Sequence, residues 1–262
     1  KTLFPYTTLF RSRAVPTLKL IESTRNDPFL PLVWGKNKPG MAAAEVFENE
    51  DDLLDLHNYW MEAVEQACDI SEALTKMGLH KQWAGRLIEP FMQQKAVITA
   101  TQWGNFFRLR DHKDAQPELQ EFAVLVKEAM KISLPKLLTS DQWHMPYVTK
   151  FANGYLCGND MTDEITEAQK YSAARCAATS YKTEVMTLEK GIEIYSKLVE
   201  GELAHSVPLE HVAKPFNRSP LNDDTIGLTH MDRNENVWSG NFKEWIQLRH
   251  IYEQTKGLNT YD

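Results

Sequence analysis

The sequence is short of cysteine, short of basic charge and without repeats, and each shortage removes a class of function. Its three cysteines, Cys68, Cys157 and Cys176, are odd in number and widely spaced, with no C-x-x-C pair. That excludes a disulfide framework and a thiolate metal site, and it suits reduced thiols in a cytosol. Lysine and arginine number 29 against 36 acidic residues, for a net charge of −7. A general nucleic-acid binder needs a basic excess to displace counterions, so that class is excluded. A small nucleotide held by a few local arginines is not. His57 and His80 have no ligand-spaced partner and read as structural or solvent-facing, so no metal site is expected. Internal repeats and low-complexity tracts are missing as well.

What is present is the composition of an ordinary soluble protein, 42% apolar and 25% charged. The opening stretch, KTLFPYTTLFRS, resembles the conceptual translation of a sequencing adapter found in metagenomic assemblies. Residues 1–12 are therefore set aside as an artefact, and with no initiator Met the true start is expected to be missing. A short aromatic β-strand is the competing reading. The stretch is too short and polar to span a membrane and lacks the continuous apolar region of a signal peptide. About 250 residues remain, enough for one large domain or two small ones with a sizeable core.

Hydrophobic spacing predicts helices along most of this length. An extended entry through Val15-Pro16 precedes a short helix over Thr17–Thr24, with Leu18 and Ile21 one turn apart. Asp27 to Met41 is rich in Pro and Gly and reads as an irregular loop, wrapped on the surface or functional. Asp51 to about Lys76 is helical through Leu53, Leu56, Trp60, Ala63, Val64, Ala67 and Ile70, with Gly78 ending it. Leu79–Phe91 reads as a short helix stopped near Pro90, and Ala96–Ala100 as either a strand or a helix start. Ser140–Thr149 reads as a loop and Asn153–Asp160 as turn-rich. Helices are expected over Asp163–Cys176 and Leu188–Glu200. In the last segment, Glu235–Gln254, Phe242, Trp245, Ile246 and Arg249 follow a helical pattern, with Trp238, Phe242 and Trp245 packing.

The densest stretch is Ile98–Lys131. Trp103, Phe106 and Phe107 stand at i, i+3 and i+4 and share one helical face. Asn105, Arg108 and Arg110 add a planar amide and two guanidinium forks, groups suited to a planar anionic ligand. A core face flanked by solvated arginines would look the same. A second helix follows through Leu119, Phe122, Ala123, Val126 and Met130, with Pro117 in its first turn and Asp114 as N-cap.

Residues Asn105 to Ala123, NFFRLRDHKDAQPELQEFA, resemble the segment N-F-x-x-L-R-x-x-x-x-A-Q-x-E-[IL]-Q of the flavin-dependent thymidylate synthases. Asn105, Leu109, Arg110, Ala115, Gln116, Glu118 and Gln120 match without a gap. A second block resembles the family's A-A-R-V-S-[FY] and, after a helix, H-x-[ST]-P-[FL]-E-H. Arg175, Ser180, Tyr181, His205, Pro208, Glu210 and His211 fill those places. G-R-L-I-E-P at Gly85–Pro90 is similar to A-R-x-x-L-P and puts Arg86 at a nucleotide-binding position. SRAVP and WGKNKPGM resemble segments of the homologues carried by bacterial viruses. The second block follows the first here, the reverse of the family's commonest order, so the chain resembles a circularly permuted, N-terminally truncated member. Val207 stands where the family has Ser or Thr, and Asp114 where some members have His. Arg249-His250 is not accepted as the family's R-H-R flavin motif, because the Ser, Asn and Glu that follow it are absent. Only the tail of that motif would survive, at Arg13 and Ala14.

The resemblance implies an α/β (α+β) fold: a helix-rich single domain, residues 13–262, on a mainly antiparallel sheet. Residues 13–150 would be its nucleotide-binding half and 151–262 its flavin-contacting half. It implies methylation of dUMP to dTMP with methylenetetrahydrofolate, FAD and NADPH. This fits the absence of any cysteine in a Pro-Cys context, the setting of the thiolate in ordinary thymidylate synthases. Arg110 would polarise the uracil and act in catalysis, Arg13, Arg86 and Arg110 would bind substrate, and Asn105, Ser180, His205 and Glu210 would touch FAD. A homotetramer with sites between subunits, in a bacterial host's cytoplasm and off any membrane, is implied too. Hydroxymethyl transfer to the nucleotide, or a non-catalytic nucleotide-binding homologue, are the alternatives.

Overall fold

The structure, a computed structural model, describes residues 15–39, 43, 45–180, 185–218 and 225–258. It forms two units, the first holding the described chain up to Lys95 with Gly104–Ser133. The second holds Ala96–Trp103 and the described chain from Leu134 onward. Helices and antiparallel strands are both present, with helix in the majority, so the α+β class is as expected. The adapter-like stretch, Arg13 and Tyr181 lie outside the described residues.

In the first unit, α1 (Thr17–Asn26) and α2 (Glu50–Lys76) pack together with α3 (Lys81–Ala84) and a 3-10 helix, Gly85–Phe91. Asn49 caps α2 by accepting from the amides of Asp51 and Asp52, and Glu50, Asp51 and Asp52 complement the positive end of the helix. Gly78, at φ +87°, closes it. The core is Ile21, Val64, Cys68 and Ile88. Three readings shift by a residue or two. Thr17, Ile21 and Thr24 form the buried stripe of α1 while Leu18 is exposed, and Ala63 and Ile70 of α2 face solvent. Pro90 does not stop the helix before it; the chain tightens into 3-10 geometry and carries Pro90 inside. His80 is structural, its Nδ1 accepting from the Gln82 amide at the start of α3.

The loop after α1 wraps around Trp60. The rings of Phe29, Trp34 and Phe91 meet that indole edge-on, 5.4–6.4 Å away, and Trp60 Nε1 donates to the Phe29 carbonyl at 2.8 Å. α4 (Gly104–Arg110) and α5 (Pro117–Ile132) complete the unit, joined by the Phe106–Phe122 ring contact at 6.1 Å. Gln116, not Asp114, is the N-cap of α5. Pro117 takes the first helical position, where its missing N–H costs nothing, and it holds the preceding residue extended at ψ 134°. Along α5 only Ala123 is buried.

The second unit is built on α6 (Ile165–Ala178), a helix buried around most of its circumference by small residues. On it lie a sheet of β1 (Val148–Phe151), β2 (Gly154–Cys157) and β3 (Asp160–Thr162), and α7 (Leu188–Val199). β1–β2–β3 is an antiparallel meander in the stretch read as loop and turns. Gly158-Asn159 is its second reversal, with Gly158 at φ +69° where a side chain would strike the Met186 carbonyl. Thr187 caps α7 by accepting from the Lys190 amide. Farther on come a 3-10 helix, Val207–His211, and β4 (Ala213–Pro215). β5 (His230–Met231), β6 (Val237–Ser239), β7 (Phe242–Lys243), β8 (Trp245–Gln247) and α8 (Leu248–Thr255) follow.

The helical pattern over Glu235–Gln254 is therefore wrong for its first half. Gly240 at φ +59° and Glu244 at φ +60° turn the chain between short strands, and the helix begins only at Leu248. Of the three residues expected to pack, Phe242 is buried while Trp238 and Trp245 are half-buried, and Ile246 is buried beside them. Ala96–Ala100 is neither strand nor helix but an irregular strap. Thr101 Oγ1 holds this strap by accepting from the Lys243 amide at 2.9 Å.

Candidate functional site

Helix α4 presents the polar groups singled out in the sequence. Asn105 and Arg108 are exposed, one turn apart, with the guanidinium donating to the Asn105 side-chain Oδ1 at 2.9 Å. Arg110, at the last position of the helix, is half-buried. Its guanidinium has no hydrogen bond or ion pair with any described residue. A fork with five donors, partly withdrawn from water and unmatched by protein, has its hydrogen-bonding capacity free for an anionic or carbonyl ligand. Trp103 is not on this helix; it ends the strap, and the aromatic face reduces to Phe106 and Phe107, 5.5 Å apart. Glu118 is taken up structurally, its carboxylate accepting from the Leu32 amide at 3.1 Å.

Arg86 belongs to the same unit. Its Nε donates to the Gln82 carbonyl at 3.1 Å and its guanidinium lies 5.7 Å from the Trp83 ring centroid. The two terminal nitrogens keep their donors free among the described residues. No hydrogen bond or ring contact links Arg86 with Asn105 or Arg110.

In the second unit, Ser180 stands two residues past the end of α6, and its Oγ is buried without a hydrogen-bond partner among the described residues. Buried hydroxyls are normally satisfied, so this atom fits a ligand polar group better than an apolar surround. Arg175 stacks over the Tyr147 ring at 4.7 Å, and the Tyr147 hydroxyl lies 2.9 Å from Thr179 Oγ1. Arg175 and Ser180 are five positions apart (180 − 175), against two in A-A-R-V-S, so one ungapped register cannot seat both. With Ser180 kept, the arginine position falls on Ala178, which is fully buried.

His205 is exposed, anchored through its backbone amide to the Leu198 carbonyl at 2.7 Å. Glu210, on the 3-10 helix, is half-buried and tightly held. Arg249 Nη1 lies 3.2 Å from Glu210 Oε2, and Gln247 Nε2 donates to the Glu210 carbonyl at 3.2 Å. Next to it His211 is buried, with Nδ1 3.1 Å from Thr99 Oγ1 on the strap. Arg249 also donates through Nε to Glu253 at 2.8 Å, and Ser206 donates to the same carboxylate. Burial opposes charge on Arg249, but the contacts with Glu253 and Glu210 outweigh it and raise its pKa above the ordinary value. Burial likewise disfavours the charged form of Glu253, yet bonds from Ser206 and Arg249 hold its pKa below the usual carboxylate range.

Sequence reasoning singled out Glu210 but not the residues that surround it, Arg249, Gln247 and Thr99, which come from segments far along the chain. Arg249 was visible only as half of a motif set aside. Among the described residues no group of three or more His, Cys, Asp or Glu could hold a metal ion. Nor is any described helix long and apolar enough to cross a membrane.

Compared with known proteins, residues 33–136 match the family model of the thymidylate synthase complementing protein. No curated protein and no solved structure matches the chain.

Proposed function

We propose that this protein is a flavin-dependent thymidylate synthase, because residues 33–136 match the family model of the thymidylate synthase complementing protein. It would methylate dUMP to dTMP with methylenetetrahydrofolate as carbon donor and NADPH as reductant. The observation that carries this reading is Arg110: it lies inside the matched stretch, half-buried, with its guanidinium unclaimed by any described residue. When bound, FAD supplies the hydride, so no protein nucleophile is required. That agrees with three cysteines that are all buried.

This chain's residues then have to bind, orient and polarise. Arg110 donates two parallel hydrogen bonds to the uracil carbonyl edge and stabilises negative charge developing on the ring. Arg86, and Arg13 before the described residues, neutralise the nucleotide phosphate. Asn105, Ser180, His205 and Glu210 hold the flavin, the Ser180 hydroxyl gaining a partner that it lacks among the described residues. A homotetramer with shared sites in a bacterial cytoplasm completes the proposal.

Yellow cofactor retained through purification separates this from a non-catalytic homologue. Tritium release from C5-labelled dUMP, with dTMP identified by mass, separates methylation from hydroxymethylation. Arg110→Ala is expected to lower turnover at least about a hundredfold, as loss of a charge-stabilising donor does. The melting temperature should stay near wild type, because no described residue relies on that guanidinium. Unaltered turnover would remove Arg110 from the mechanism.

A further inference from the structure

Glu210 is held on both its main chain and its side chain by the same C-terminal piece. Gln247, the last residue of β8, donates to its carbonyl, and Arg249, in the first turn of α8, grips its carboxylate. The grip is pre-set from behind. Arg249 is tied to Glu253 one turn along α8, and Glu253, with a side chain only 12% exposed, takes a further bond from Ser206. Ser206 and Glu210 sit at the two ends of S-V-P-L-E. A guanidinium can do this because its planar fork serves two acceptors in fixed directions; an ammonium cannot. For α8 alone the Arg249–Glu253 pair at i, i+4 would suffice. The extra reach of Nη1 to Glu210 has no helical purpose.

We propose that Arg249 is a positioning residue that fixes the Glu210 carboxylate for the flavin, the clamp being set by Glu253 and Ser206. The inference rests on the flavin-dependent reading above. Arg249 acts through Glu210 and touches neither substrate nor cofactor. The C-terminal helix is thereby part of the cofactor site, although its sequence carries no accepted flavin motif.

The test is FAD affinity of the full chain, read by quenching of flavin fluorescence, with melting temperature recorded for every variant. Arg249→Met should weaken FAD binding about tenfold, the worth of one charge-assisted contact. Glu210→Gln should weaken it similarly, and the double variant no more than either alone, because the two act as one unit. Arg249→Lys, which keeps the charge but not the fork and guards against a Met variant that fails to fold, should give a smaller loss that still exceeds twofold. FAD binding within twofold of wild type in a folded Arg249 variant, or additive losses in the double variant, would overturn the clamp and leave the flavin reading standing. Wild-type chain that binds no FAD would overturn both.

Discussion

Single residues divide between those whose role is set by chemistry alone and those that depend on what folds against them. The cysteines are of the first kind. Cys157 is fully buried, and desolvation, with Glu167 and Asp160 nearby, pushes its thiol from an ordinary 9.0 to about 11. Burial raises Cys68 as well. Because the thiolate is the reactive form, these side chains should resist iodoacetamide at pH 8 in the folded protein and be alkylated in denaturant. Ready alkylation of Cys157 without unfolding would contradict its buried setting. Arg110 and Glu210 are of the second kind. Both were legible as motif positions, but that one is unclaimed and the other clamped depends on neighbours distant in sequence.

At the level of elements, the long regular helices were legible and the short strands were not. The α2 reading succeeds because twenty-seven residues average out errors at Ala63 and Ile70. The hairpins of β1–β3 and β5–β7 have strands of two to four residues, too short for alternation to register. Their turns were nevertheless written in the chain as Gly158-Asn159 and Gly240-Asn241. The α6–α7 contact depends on one glycine: a Cβ on Gly191 would lie 2.6 Å from Tyr171 Cδ2. The Tyr171 ring cannot yield, because its hydroxyl donates to the Met186 carbonyl in the core. Gly191→Ala should therefore destabilise by about 1–2 kcal/mol despite the better helix propensity of alanine, as overpacking does. Chemical denaturation measures this, and a stabilised variant would show that the helices can part without cost.

Over the whole molecule, the pKa shifts define a stability plateau. Burial lowers His250 from 6.5, so its contribution is complete above that value and is lost as pH falls through the lower folded pKa. Hydrogen bonds and lysine charges hold Glu193 near 2, and bonds from Asn236 and Trp238 hold Asp232 near 2, extending the loss further into acid. On the alkaline side, burial raises Cys157 to about 11 and Tyr195 from 10.0 to about 12. Their contributions are present below the unfolded values and disappear as pH climbs through the folded ones. The melting temperature should be flat between about pH 7 and 8.5 and decline on either side, a profile that differential scanning calorimetry would trace. By itself, the chain determined its helices, its lack of a cysteine in a Pro-Cys context and the arginine-bearing segment at its middle. Those follow from local spacing and residue chemistry. Only the tertiary structure decided that Thr99, Ser206, Gln247 and Arg249 gather about Glu210 and His211. A hydrogen bond between groups up to 142 positions apart, such as the Lys243–Thr101 link of the strap, leaves no periodic trace in a sequence.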